Sequence, residues 1–98
     1  MIPKIGECMF PLLQYMSDRE AHSAEECREY ISRVFNLSND EKALLKSKDR
    51  VGWAKWNLEQ IRMLETVSRG RYKITEDGLK FLRITPSTKE RPFKEYGY

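Results

Sequence analysis

Histidine occurs once in this 98-residue chain, as His22, and cysteine twice, as Cys8 and Cys27. Two thiols and one imidazole without close ligand spacing argue against a zinc site, so neither metal nor cofactor is expected. No apolar run approaches the roughly 20 residues that a membrane span needs. The opening MIPKIGECMFPLLQYM has only a short apolar stretch and no small-residue cleavage site, so it does not read as a secretion signal. A cytoplasmic setting is therefore the expectation, and a membrane partner is not. A Cys8–Cys27 disulfide is open on sequence alone, but a reducing cytosol favours both as small buried hydrophobes. Catalytic patterns are missing too. No serine, cysteine or carboxylate stands in a motif that would activate it, and His22 reads as an exposed loop residue. Repeats and low-complexity stretches are absent. What is left is one small domain with a single modest core and no catalytic constellation.

The charge that is present is unevenly placed. Residues 1–45 carry five basic and eight acidic side chains, a balance of −3, while residues 46–98 carry thirteen and seven, a balance of +6. The overall +3 thus hides a basic second half. A localised basic surface points to a polyanion more strongly than a mildly basic total does.

Apolar spacing and capping signals divide the chain. Phe10, Leu12, Leu13 and Met16 suit a short helix starting near Pro11, and Ser17 to Ala21 reads as a polar connector. Ser23 and Glu26 form a capping box before a helix with Cys27, Tyr30, Ile31, Val34 and Phe35 inward, ending by Asn36. A second box, Ser38 with Glu41, opens a brief helix through Ala43, Leu44 and Leu45, and Lys46–Lys48 reads as loop. Asp49 is the expected N-cap of the longest helix, about 50–64, with Val51, Ala54, Leu58, Ile61 and Leu64 as its stripe. Two short β-like runs, 65–67 and 72–74, bracket Ser68-Arg69-Gly70-Arg71, where Gly70 supplies a positive φ for a hairpin. Thr75 caps a last helix, 76–83, with Leu79 and Leu82 inward and Phe81 as a third option. From Thr85 the chain loses periodicity, so residues 1–84 are expected to form the domain and 85–98 a tail or truncated interdomain linker. The predicted class is mainly α with a small β-hairpin. A helix followed by a basic-tipped hairpin is the order of a winged helix-turn-helix, in which the helix enters the major groove and the wing touches the backbone.

For such a fold the phosphate-binding residues would be Lys46, Lys48, Arg50 and Lys55 at the start of the long helix, with Arg69, Arg71 and Lys73 around the wing tip. Lys55, Trp56, Asn57 and Gln60 would face bases, and Asn and Gln can pair bidentately with adenine. Asn57 lies nearer the core flank, where satisfying a local backbone group is its other reading. Glu59 would repel phosphate, so the helix would dock by its N-terminal half. Gly52 permits close approach by a neighbouring helix or a DNA backbone. Trp53 falls on the flank and is expected to pack at the core border. Trp56 points outward, as a contact residue or a partly covered surface aromatic. Outward Trp56 and Met63 also support a different class of function, a protein-interaction or dimerisation module that does not touch DNA.

The runs Arg50-Val51-Gly52-Trp53-Ala54, Leu58, Leu64-Glu65, Arg69-Gly70 and Ile74-Thr75-Glu76-Asp77-Gly78 resemble the N-terminal domain of Mrr-type (type IV) restriction endonucleases. Pro11-Leu12-Leu13, Phe35-Asn36-Leu37-Ser38 and Leu44-Leu45 fit the same pattern, so the resemblance spans about residues 9–84. It implies a winged-helix domain that binds double-stranded DNA and targets modified foreign DNA for a nuclease of the PD-(D/E)xK type. Asp49 stands where the family commonly has Asn, and Arg62-Met63 where Ala-Gly is common. No segment here supplies the nuclease acids and lysine in order. The partners implied are duplex DNA, a nuclease domain or subunit, or a second copy in a homodimer.

Overall fold

A computed structural model describes residues 1–86 and 88–98. Helix α1, Ile5–Tyr15, begins well before Pro11, which stands inside it. Cys8, Met9, Leu12, Leu13 and Met16 recur at helical spacing and are fully buried. Packing along that stripe outweighs the one backbone bond that Pro11 cannot donate. Glu7 reaches back to the Lys4 N–H at 2.8 Å and secures the first turn. A 3₁₀ turn, Met16–Asp18, leads to a two-residue strand β1, His22–Ser23. The expected connector therefore contains structure, and β1 is too short to leave a period in the sequence.

Helix α2 covers Ala24–Val34, and Ser23 caps it by accepting the Glu26 N–H at 3.2 Å. The second half of the predicted box is missing because the Glu26 carboxylate lies 2.8 Å from His22 Nδ1. His22 is buried, not an exposed loop residue: its Nε2 is 3.0 Å from Asp18, and its ring lies 4.5 Å from that of Tyr15. Val34, expected inward, is half exposed. Asn36 takes φ 52 and closes α2, with the Leu37 N–H on the Ser32 carbonyl at 2.9 Å.

Both halves of the Ser38–Glu41 box are present at the start of α3, Asn39–Ser47. The helix takes in Lys46 and Ser47, and it buries Leu45 while leaving Leu44 exposed. Helix α4, Arg50–Gln60, follows after Lys48 and Asp49. Asp49 is its N-cap residue, as expected, but it stands at φ 49 and makes no side-chain cap bond. Its carboxylate instead occupies the space beside Gly52 where a Cβ would stand, so neither a helix nor a DNA backbone fills that gap.

The helix is shorter than its apolar period suggests. Arg62, at φ 62, reverses the chain, and the Met63 N–H bonds back to the Leu58 carbonyl at 2.9 Å. Met63 and Leu64 are still buried, because this reversal turns them under the helix end. Strands β2, Leu64–Ser68, and β3, Arg71–Ile74, form the hairpin, with Gly70 at φ 72 in its tip. The sheet order is β1-β3-β2, all antiparallel, with His22 opposite Tyr72 and Thr66 opposite Tyr72 on the other side. Helix α5, Glu76–Ile84, is capped by Thr75 Oγ1, which accepts the Gly78 N–H at 3.1 Å. A Cβ at Gly78 would lie 2.5 Å from the Met63 carbonyl, so glycine here lets α5 close on the turn after α4.

These elements form a mainly α fold with a small three-stranded sheet, in the element order of a winged helix. α4 packs chiefly on α1. Phe81 is the inward aromatic of α5, while Leu79 and Leu82 are only partly buried. Phe93, within the expected tail, has a fixed place in the core. Phe93 is buried against Phe81, with stacked rings 4.8 Å apart, and meets Phe10 edge-on at 6.4 Å. Cys8 and Cys27 are free and buried, and burial pushes their thiols up to about 12 and about 11. Among the described residues no helix is long and apolar enough to cross a membrane.

Candidate nucleic-acid interface

Four side chains of α4 are buried: Val51, Ala54, Lys55 and Leu58. At about 100° per residue, including Lys55 turns the helix so that Trp53 and Trp56 straddle its outermost line, each within about 30° of it. Both indoles are open, at 51% and 50% exposure, and their rings meet edge-to-face at 6.0 Å. Trp53 is thus not at the core border. Gln60 is exposed on the same face. Met63, expected beside Trp56, is buried beyond the helix end.

Lys55 departs furthest from expectation. It is 4% exposed, and its ammonium sits 3.8 Å from the centre of the Tyr72 ring in β3. Its aliphatic stem fills space between helix and sheet, and the ring face receives the charge. Burial holds its pKa below the ordinary lysine value. Asn57 is also turned inward, its Nδ2 pointing at the Met9 thioether at 3.8 Å and not at a backbone group. Glu59 accepts the Thr66 hydroxyl at 2.8 Å, which ties the helix to β2.

The remaining cations fall in two places. Lys46, in the last turn of α3, and Lys48, in the link to α4, are exposed, and Arg50, partly exposed, opens α4, where the helix dipole adds positive potential. Arg69 is exposed at the hairpin tip. Arg71 donates to the Ala21 carbonyl at 3.1 Å and so braces β3 against the lead-in to β1. Lys73 is half-buried, opposite Glu65 in the hairpin register. Of the residues picked from the sequence, Lys46, Lys48, Arg50, Trp56, Gln60 and Arg69 keep open surface. Lys55 and Asn57 face inward, Arg71 is engaged by the Ala21 carbonyl, and Lys73 is half-buried. Trp53 was missed. Its spacing of three from Trp56 was the available signal, masked by assigning a lysine to the surface.

The open groups are cations, one carboxamide and two indoles. Among the described residues no three His, Cys, Asp or Glu side chains are placed to hold a metal ion. In comparison with known families, the Mrr N-terminal domain matches residues 6–84. Comparison with curated proteins and with solved structures returns no match.

Proposed function

This chain belongs to the Mrr N-terminal domain family, and we propose that it binds double-stranded DNA as the targeting module of a restriction system. In this reading α4 enters the major groove and the Arg69-Gly70 tip lies against the neighbouring backbone. One observation carries it: Lys46 and Lys48 are exposed and Arg50 partly so around the junction of α3 and α4, and Arg69 is exposed at the wing tip. Phosphate contacts supply most non-specific affinity for duplex DNA, and these four cations are placed to make them. Gln60 and Trp56 are the base-facing groups on the open side of the helix. Lys55 acts from behind, holding the helix to the sheet through Tyr72, while Asn57 is turned toward Met9 of α1 and Arg71 toward the Ala21 carbonyl. Cleavage of the DNA would come from a nuclease domain or subunit.

A second reading, a protein-docking module, draws on the two open indoles. Fluorescence anisotropy with a short labelled duplex separates the two. Replacing Lys46, Lys48, Arg50 and Arg69 with alanine together is expected to weaken binding by about two orders of magnitude at low salt. Unchanged affinity in that variant would sink the DNA reading.

A further inference from the structure

We propose that Trp53 and Trp56 form a stacking site for unpaired nucleobases, so that the domain prefers duplex DNA carrying a gap or open end over intact duplex. The inference rests on the nucleic-acid reading above and adds a substrate class to it.

The starting point is two large apolar rings half open to water on the outermost line of one helix. Tryptophan is on average a well-buried residue, so two together without cover call for a partner. Their planes are tilted by 73°, with centroids 6.0 Å apart. One ring can therefore offer a face while the other stands beside it as a wall. The faces of bases in an intact duplex are covered by their neighbours, and only unpaired or terminal bases can lie on such a ring.

Charge decides between a base and a protein side chain as occupant. Arg50 is three residues before Trp53, on the same side of the helix, and Lys46 and Lys48 lie just upstream. Against these three cations stands one carboxylate, Asp49, over Gly52. Glu59 is turned away onto Thr66. Protein interface cores are depleted in lysine, whereas cations around open aromatics are the pattern of single-strand binding surfaces. A polyanion with free π-faces matches both features.

The site carries its own reporter, because the chain's only two tryptophans are these. Intrinsic fluorescence of the full chain would be titrated with an intact duplex, the same duplex with a short central gap, and a single-stranded oligothymidylate. The expected result is strong quenching by the gapped duplex and the single strand. The gapped duplex should bind on the order of tenfold more tightly than the intact one, as stacking on one or two rings supplies. Trp53→Ala with Trp56→Ala should abolish that preference, bringing the gapped and the intact duplex to the same affinity. Because both side chains are open, the double variant is expected to keep its circular dichroism. Trp56→Phe, which preserves a ring, should retain part of the preference. Equal affinity for gapped and intact duplex overturns this inference alone, as does a preference that survives the double substitution. Binding to the single strand without binding to duplex overturns the proposed function and leaves the stacking site standing. Binding to none of the three overturns both, and the indoles then belong to a protein contact.

Discussion

His22 shares one coupled site with two carboxylates, Asp18 and Glu26. Burial works against its charged form, but bonds to Asp18 and Glu26 exceed that effect and raise its pKa above the ordinary value. Glu26 is held below the usual carboxylate range first by His22 itself. For Asp18 slight burial works upward, and the Glu20 N–H and His22 together bring it down. A raised histidine pKa means that its stabilisation is complete below the unfolded value of about 6.5 and fades as pH climbs through the folded value. The carboxylates act in the opposite sense, losing their contribution as pH falls through their lowered values. The stabilising window therefore lies between the two. Melting temperatures of the natural chain and His22→Gln should differ most near pH ~6 and converge by a few degrees near pH ~9. A gap that stays constant between those conditions contradicts the assignment. None of this was legible from a lone histidine before a capping box, because both partners reach it only after the 3₁₀ turn and α2 bring their carboxylates round.

At the scale of elements, the link between α4 and the hairpin decides what the interface can be. Lys55 over Tyr72, Glu59 on Thr66 and the reversal at Arg62 fix the helix to β2 and β3. A cation on an aromatic face contributes about 0.5–2 kcal/mol, set against the cost of burying the charge. Lys55→Met keeps the stem and removes the charge, so it should melt within a few degrees of the natural chain. Its DNA affinity should keep the same salt dependence, whereas Arg50→Ala should lower the slope of log K against log salt by about one. A slope change of that size in Lys55→Met would put its ammonium on the DNA after all.

The same elements show which signals the sequence transmits. The Ser38 box, the Thr75 cap and the positive φ at Gly70 were readable because each is settled within four residues. Pro11 misled because packing of the α1 stripe overrode a local preference, and Leu64 because the reversal at Arg62 ends α4 before it. The open face of α4 was misplaced for a similar reason. A lysine in the buried stripe violates the binary pattern, and only the Tyr72 ring, 17 positions on in the sequence, makes it tolerable.

The whole molecule extends beyond the segment that defines the family. The match ends at Ile84, yet Thr85 and Phe93 are buried beyond it, and Phe93 stacks on Phe81 and meets Phe10. Two prolines and weak periodicity concealed this strap, since one buried aromatic leaves no repeating pattern. Phe93→Ala should cost about 3–5 kcal/mol, the usual loss for a buried phenylalanine, read from the urea midpoint. A loss under about 1 kcal/mol would mean that the strap is an accessory. The ring contacts of Phe93 are to Phe10, Phe81 and Tyr96 and to none of the four cations, so a folded Phe93 variant should bind DNA as before.

The central claim is that the open cations of α4 and the hairpin tip grip the phosphates of one duplex. Its most direct test is the equilibrium affinity of the natural chain for a short duplex, measured across a series of salt concentrations. Four phosphate contacts predict a log–log slope of roughly −3 to −4, falling to near zero when Lys46, Lys48, Arg50 and Arg69 are all replaced by alanine. A flat dependence in the natural chain, or a slope that the fourfold variant retains, would contradict the account.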